Sequence, residues 1–112
     1  MTEQRDILLV PFPFSDQSGK KVRPVLILSC DDYNNQQSDL LVCAITSKPG
    51  HNRYILKINN SNLEEGKLFV ESYIRADSIL KINKELIIKN IGKLNKENFN
   101  KIKLVLKKIF GI

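Results

Sequence analysis

Histidine and cysteine are scarce in this sequence, which holds one histidine, His51, and two cysteines, Cys30 and Cys43. Two cysteines are too few for a disulfide framework, and both lie in apolar runs, so we expect reduced and buried thiols. One histidine and two separated cysteines do not supply the usual ligands of a zinc site. A single histidine also excludes acid–base catalysis by a pair of histidines. The sequence predicts neither a metal site nor another cofactor.

Long apolar runs and clustered glycines are missing as well. No apolar run approaches the roughly 20 residues that a membrane-spanning helix needs, and the polar, mixed-charge N-terminus is unlike a secretory signal peptide. The five glycines are scattered, so there is no glycine-rich phosphate loop, and no Gly-x-Ser-x-Gly motif marks a nucleophilic serine. These absences predict a cytoplasmic protein without a membrane partner, whose chemistry is built from Arg, Asp, Thr and Ser.

Length and composition fit one globular domain over residues 1–112, with 42% hydrophobic and 27% charged residues. The net charge of +6 favours an anionic partner such as nucleic acid. Residues 1–80 hold nine Lys or Arg and ten Asp or Glu, whereas residues 81–112 hold nine Lys and two Glu. The lysine-rich C-terminal third is most simply the solvated face of a helix, which can attract RNA or another polyanion from a distance.

Short apolar runs bounded by prolines, glycines and polar residues predict strands. We expect five strands and a short sixth, at residues 6–14, 22–30, 40–47, 53–59, 68–74 and 79–82. The first strand should lose its hydrogen-bonded ladder at Pro11 and Pro13. Residues 31–39 are predicted to form a loop, residues 59–66 a turn and residues 83–89 a short helical turn.

A helix is predicted over residues 96–110, with Asn95 as its N-cap and Gly111 as its end. Its apolar residues follow the i, i+3, i+4, i+7 spacing of one buried face, namely Phe99, Ile102, Val105, Leu106 and Ile109. Strands followed by a terminal helix predict a mostly β fold, a small antiparallel barrel with the helix packed across it.

Polar side chains stand at the ends of three predicted strands. Arg23 opens the second strand, Thr46 and Ser47 close the third, and Arg75 and Asp77 follow the fifth. Arg75 and Asp77 are two residues apart, so in an extended chain they point to the same face. Taken singly, each side chain has an ordinary structural explanation, as a solvated charge, a β-branched strand residue or a local ion pair.

Four blocks of sequence together resemble the MazF/PemK (Kid) toxin family. The first runs from Asp6 to Ser29, contains Pro-Phe-Pro-Phe and Arg23-Pro24, and is similar to the family's N-terminal signature. The other three follow in the family's order, as Leu-Val-Cys-Ala-Ile-Thr-Ser at 41–47, Tyr-Ile-Arg-Ala-Asp at 73–77 and Ile-Gly-Lys-Leu at 91–94. The block at 73–77 resembles the Arg-x-Asp form of the PemK branch. The resemblance extends from residue 5 to the end of the chain.

This resemblance implies an SH3-like barrel that forms a homodimer and acts as the toxin of a type II toxin–antitoxin pair. The implied activity is that of an mRNA interferase, a metal-independent and ribosome-independent endoribonuclease that cuts single-stranded mRNA at short sequences. Attack by the RNA's own 2′-hydroxyl leaves a 2′,3′-cyclic phosphate and a 5′-hydroxyl. The implied partners are single-stranded RNA and a cognate antitoxin with an acidic C-terminal tail.

By matching motif positions, the resemblance makes Arg23 and Thr46 the first catalytic candidates, and it matches Arg75 and Asp77 to the Arg and Asp of the PemK branch. The candidate RNA contacts lie at strand ends and in loops, namely Ser15, Gln17, Lys20, Lys21, Ser47 and His51. The chain departs from the family at Leu80, where the common motif has a second Arg, and at Gln17, where some PemK-branch members have a histidine. Both departures leave the hydrolytic residues in place and bear on base recognition.

The chemistry of this residue set agrees with the implied reaction. Attack by a 2′-hydroxyl builds negative charge on the phosphate oxygens, which fixed guanidinium and hydroxyl donors stabilise. A guanidinium hardly gives up its proton, so Arg23 is an electrostatic stabiliser first. Asp77 is the one carboxylate in the set. Because a carboxylate is ordinarily a weak base at neutral pH, Asp77 is either a base in an altered environment or the residue that orients Arg75.

Two other functions remain open at this point. A toxin of the same barrel architecture can act without catalysis, by binding DNA gyrase, and the terminal helix would then matter more than Arg23 or Thr46. A catalytically inactive RNA-binding barrel is the other alternative. Fold alone does not separate these functions, although the Arg23-Pro24 and Thr46-Ser47 motifs favour the nuclease.

Overall fold

The computed structural model describes residues 2–12, 21–50 and 52–112. In that part of the chain, seven strands form one antiparallel sheet in the order β4-β6-β3-β2-β1-β7-β5. The strands are β1 (Asp6–Phe12), β2 (Lys21–Ile27), β3 (Asp39–Thr46), β4 (Ile55–Ile58), β5 (Leu63–Gly66), β6 (Ser72–Asn83) and β7 (Lys89–Leu94). The helices are α1 (Asp31–Gln36) and α2 (Lys96–Phe110), with 3₁₀ turns at Asn60–Asn62 and Lys84–Leu86. The predicted mostly β fold with a C-terminal helix is confirmed, as a curled and partly closed barrel.

The curled sheet buries side chains on both faces, which explains why β1, β2 and β3 are nearly continuous apolar runs. On one face, Ile7, Leu26 and Cys43 pack with Phe99 and Ile102 of α2. The alternate strand residues form a far-side cluster on the opposite face, namely Leu8, Val10, Val25, Ile27, Leu40, Val42 and Ile82. Truncation of a buried Leu or Ile of this kind to alanine costs about 2–5 kcal/mol.

Helix α2 has the predicted boundaries. The side chain of Asn95 accepts a hydrogen bond from the backbone N–H of Asn98, and Gly111 ends the helix in the left-handed conformation at φ 70°. Phe99 and Ile102 are buried as expected, whereas the later apolar residues of the same face are only partly buried. No helix in the described part of the chain is long and apolar enough to cross a membrane.

Residues 31–39 are not a loop throughout, because Asp31–Gln36 forms α1. The hydroxyl of Ser29 donates to the Oδ1 atom of Asn34 at 2.5 Å, and the Nδ2 atom of Asn34 donates to the Ser29 carbonyl at 2.9 Å. Lys84 donates to the Asn34 carbonyl as well. These contacts hold a polar segment in a helical turn that its composition does not predict. Cys30 precedes this helix and is exposed, so its expected burial was wrong.

The predicted fifth and sixth strands are one strand, β6, which begins at Ser72 and continues to Asn83. Strands β5 and β7 were missed, because each depends on pairing between segments distant in sequence. They meet where Gly66, at φ 82°, lies against Gly92. A Cβ atom on Gly66 would come within 2.0 Å of the Ile91 carbonyl oxygen, so only glycine allows this approach.

Pro11 of β1 and Pro24 of β2 lie at positions where their strand is paired on one side only. Pro11 pairs with Val22 of β2, after the ladder between β1 and β7 has ended at Leu9. Pro24 pairs with Leu9, one residue before the ladder between β2 and β3 begins at Val25. The expected loss of the ladder at Pro11 therefore applies to the β7 side of β1. Pro13 lies outside the described residues.

The two cysteines should differ sharply in reactivity. Burial, and second the negative charge of Asp77, raise the pKa of Cys43 from 9.0 to about 12, whereas Cys30 is exposed. We expect one thiol per chain to react with Ellman's reagent in the folded protein and two in concentrated guanidinium chloride. Because the folded-state pKa of Cys43 is raised, its contribution to stability is complete below about pH 9 and is lost as the pH rises toward 12.

The control is Cys30→Ser, which should leave no rapidly reacting thiol in the folded protein. Rapid reaction of Cys43 in that variant would contradict the burial of β3.

Candidate active site

The open ends of β2 and β3 present Arg23 and Thr46 side by side. The last pair of the ladder between these strands is Val25 with Ala44, and Arg23 and Thr46 each lie two residues beyond it. Because residues two apart in a strand share a face, Arg23 and Thr46 lie on the same face of the sheet as the far-side cluster, at its edge. Both also line a first cavity of about 430 Å³.

A bulge in β6 supplies the other charged groups of this cavity. Cys43 pairs with Ile79, but the next residue, Ala44, pairs with Arg75. Residues 76–78 of β6 are therefore extra and have no partners in β3. Ala76 turns into the core and is fully buried, while Asp77 is exposed. Such bulges redirect side chains and are frequent beside functional sites.

The structure brings the four catalytic candidates into one cavity. Its lining is Arg23, Ala44, Ile45, Thr46, Arg75, Asp77, Ser78, Ile79 and Leu80. Leu80, which replaces the second Arg of the family motif, also packs against the far-side cluster. The lining of the cavity is thus apolar at this position.

Hydrogen bonds hold the side chains of Thr46 and Asp77 in this cavity. The Oγ1 atom of Thr46 accepts from the backbone N–H of Lys48 at 3.1 Å. The Oδ2 atom of Asp77 accepts from the Nδ2 atom of Asn52 at 3.1 Å. Asn52 is itself held, because its Oδ1 atom accepts from the backbone N–H of Tyr54 at 2.6 Å. A residue of the loop before β4 therefore orients the carboxylate on β6.

Arg75 and Asp77 do not form the local ion pair that their spacing permits. Within residues 2–12, 21–50 and 52–112, the exposed guanidinium of Arg75 makes no ion pair. Asp77 instead bonds Asn52, so the hypothesis that it orients Arg75 has no contact to support it. The negative charge of Asp77 also acts on the thiol below the sheet, since it is the second cause of the raised pKa of Cys43.

A second cavity of about 360 Å³ adjoins the first, and Arg23, Ile45 and Thr46 line both. Its remaining lining is mostly apolar, namely Leu9, Val22, Pro24, Ser47, Leu68, Phe69, Val70, Ser72 and Ile91. Ser47 therefore belongs to the second cavity, although it directly follows Thr46. The two cavities are separated by the strand ends that carry the catalytic candidates.

Of the other candidate RNA contacts, only Lys21 lies in the described part of the chain. Lys21 begins β2, is exposed and lines neither of them. Ser15, Gln17, Lys20 and His51 lie outside the described residues. Among the residues that are described, no group of three or more His, Cys, Asp and Glu side chains could hold a metal ion.

Sequence reasoning missed Asn52, Ser78 and Phe69. Asn52 reaches Asp77 across a gap of 25 residues in the chain, and Ser78 enters the cavity through the bulge. Neither contact leaves a local pattern in the sequence. Phe69 could have been noticed as an aromatic residue within a predicted strand, but its exposure depends on β6 beginning only at Ser72.

Solved structures with the same fold include toxins and complexes of toxins with antitoxins. An endoribonuclease in complex with its cognate antitoxin from a Mycobacterial species matches with a TM-score of 0.82 at 17% identity, covering 100% of this chain and 97% of that one. The Mycobacterium tuberculosis toxin MazF-mt6 matches with a TM-score of 0.79 at 19% identity, covering 96% and 98%. The MazE–MazF complex of Deinococcus radiodurans (Form-III) matches with a TM-score of 0.80 at 16% identity, covering 99% and 97%.

At identities this low, the structural similarity establishes a common fold alone. No curated protein matches the chain by sequence. The family itself is established by a sequence model. The model of the PemK-like, MazF-like toxins of type II toxin–antitoxin systems matches residues 3–110, and the chain therefore belongs to that family.

Proposed function

We propose that this toxin is a cytoplasmic endoribonuclease that cleaves single-stranded mRNA at short sequences, independently of the ribosome and of metal ions. The observation that carries the proposal is the convergence of Arg23, Thr46, Arg75 and Asp77 on one cavity. The similarity in fold to a Mycobacterial protein described as an endoribonuclease supports it. Cleavage by the 2′-hydroxyl would give a 2′,3′-cyclic phosphate and a 5′-hydroxyl.

Three donors in the cavity suit the charge that develops on the phosphate. Arg23 and Arg75 each offer a planar guanidinium to its non-bridging oxygens. Because the Oγ1 atom of Thr46 already accepts from Lys48, its own proton remains free to donate to phosphate. Donors fixed before the reaction stabilise the transition state more than the substrate, since they need no reorganisation as charge develops.

Asp77 is the proposed base. Asn52 holds its Oδ2 atom, which leaves the Oδ1 atom to accept the proton of the 2′-hydroxyl. The 2′ oxygen then bonds phosphorus, the bond from phosphorus to the 5′ oxygen breaks, and that oxygen takes up a proton from water while Asp77 releases its proton to solvent. One proton is lost and one gained, so the products are the cyclic phosphate and the 5′-hydroxyl. Arg23 contributes charge rather than a proton.

A cognate antitoxin with an acidic tail is the proposed protein partner, and a homodimer is the proposed assembly. Two Deinococcus radiodurans neighbours of similar fold are complexes of MazE with MazF, which supports a protein partner of the same kind. The cavity offers two arginines against one aspartate, so an acidic segment would meet the same field as RNA.

The first prediction concerns the arginines of the cavity. Arg23→Ala and Arg75→Ala should each lower kcat by about 10²–10³-fold, the usual effect of removing one group that stabilises transition-state charge. Thr46→Val, which keeps the shape and removes the hydroxyl, should lower kcat as well. Cleavage of single-stranded RNA of varied sequence in EDTA, with the product ends mapped, measures these effects.

The matched control is Lys101→Ala, which removes a positive charge from an exposed position on α2 and should leave kcat unchanged. Undiminished cleavage by both arginine variants would refute the residue assignment. If the native chain cuts no RNA, the gyrase-binding toxin or the inactive RNA-binding barrel replaces the nuclease.

Asn52 should be a positioning residue. Asn52→Ala removes the donor that orients Asp77, so we expect kcat to fall by about tenfold while KM stays within about twofold, because general base catalysis depends on alignment. Asn35→Ala, at an exposed position in α1, is the control. An equal change in kcat for both variants, or a change confined to KM, would argue against this role.

The antitoxin should compete with RNA. Its acidic tail is expected to occupy the cavity around Arg23, so addition of antitoxin should lower both RNA binding and cleavage in proportion to the bound fraction. Antitoxin that binds the toxin and leaves its affinity for RNA unchanged would contradict competition at this cavity.

A further inference from the structure

We propose that the second cavity binds an unpaired nucleobase of the RNA strand, next to the phosphate that is cleaved, and that Phe69 is its stacking surface. The proposal rests on the proposed function, because it takes RNA to be the substrate at Arg23 and Thr46. It adds a site that reads or holds a base, in contrast to the first cavity, whose groups face the phosphate.

Phe69 is unusually exposed for an aromatic side chain. Its exposed fraction is 90% and that of Val70 is 57%, whereas the preceding Leu68 is 7% exposed. A large apolar surface at the mouth of a cavity indicates a binding site more often than a random surface position does. Bases of single-stranded nucleic acids stack on side chains of this kind.

Hydrogen bonds hold the backbone on both sides of Phe69, from Leu68 to Ser72. The backbone N–H of Leu68 donates to the Oδ1 atom of Asn60 at 2.6 Å. The hydroxyl of Ser72 donates to the carbonyl of Val70 at 2.9 Å. With Leu68 anchored in the core on one side and Ser72 buried on the other, the ring is presented from a fixed backbone. Because this backbone is already ordered, less conformational entropy is lost when a ligand stacks on the ring.

The lining suits a flat, weakly polar ligand joined to an anion. Leu9, Val22, Pro24 and Ile91 contribute apolar surface, and among the described residues no Asp or Glu lines this cavity. Arg23 is the one charged side chain in that lining. A base has flat apolar faces and is linked to a phosphate, so it satisfies both features at once.

The shared wall fixes where the base would lie along the strand. Arg23, Ile45 and Thr46 line both cavities, so a ligand in the second cavity lies against the groups that face the reacting phosphate. In a nucleic acid strand each phosphate is flanked by two nucleosides. A strand that places its phosphate at Arg23 can therefore turn one adjacent base into the second cavity.

An acidic peptide fits this cavity less well, because Arg23 is the single cation in the described lining. A second copy of the chain is the other occupant to test. It would cover Phe69 in the absence of RNA, whereas a nucleobase site leaves the ring accessible until RNA binds.

The test compares Phe69→Ala with Phe69→Trp, which keeps an aromatic surface. Phe110→Ala is the matched control, because Phe110 is 60% exposed at the far end of α2 and lines neither cavity. The probe is a single-stranded RNA around a mapped cleavage position, made uncleavable by one 2′-deoxyribose. We expect Phe69→Ala to weaken its binding about tenfold, as expected from the loss of one stacked base, and the other two variants to bind within about twofold of the native chain.

A second probe removes one base, on either side of the scissile phosphate in turn. One of the two abasic strands should bind the native chain about tenfold more weakly and show no further loss with Phe69→Ala. Independent, additive losses for both strands would overturn the base site. The base site would also be overturned if Phe69→Ala bound RNA normally and sedimentation showed that this variant no longer dimerises. That result would assign the ring to an interface between copies of the chain.

These outcomes separate the base site from the nuclease. If the native protein cleaves RNA and Phe69→Ala binds and cleaves it equally well, the nuclease proposal is retained and the base-site proposal is refuted. If no RNA is cleaved, the same comparison is made on uncleaved RNA of mixed sequence. A tenfold loss with Phe69→Ala then keeps the base site without the nuclease.

Discussion

The pairing of β3 with β6, and the three-residue break in its register, determines where Arg75 and Asp77 lie relative to Thr46. Beyond the break, Leu80 and Ile82 pair with Val42 and Leu40 and join the apolar far-side cluster. Arg75, directly before the break, and Asp77, within it, line the cavity at the end of that same face. Had the alternation continued unbroken, Lys81 would face this cluster. The bulge lets a single strand be apolar at one end and charged at the other without burying a charge.

The sequence predicts those parts of the structure that depend on local patterns. Apolar runs located β1, β2 and β3, and the cap chemistry of Asn95 and Gly111 located α2. Helix α1 escaped prediction because it depends on a buried bond between Ser29 and Asn34. Strands β5 and β7 escaped because their pairing joins distant segments. In each failure the deciding interaction is tertiary, which a local pattern does not record.

The site follows the same division. Arg23, Thr46, Arg75 and Asp77 could be named from motifs at strand ends, and the structure gathers them in one cavity. Their mutual arrangement could not be inferred, because spacing alone suggested an ion pair between Arg75 and Asp77. The preference of Asp77 for Asn52 matters chemically, since it leaves a guanidinium and a carboxylate separately available. A closed pair would have neutralised both groups before any substrate arrived.

Net charge and site charge play different parts in this molecule. The excess of lysine lies in residues 81–112, and seven of those nine lysines belong to β7 or α2, outside the linings of both cavities. Exposed lysines act over about one Debye length and are screened by salt, so they raise the rate of encounter with a polyanion. The cavity instead uses two placed arginines, at strand ends where adjacent residues face opposite sides. Thr46 lies on the wall of both cavities, whereas Ser47 lines the second alone. In the proposed function, catalysis and base recognition would share one strand end and could still be altered separately by substitution.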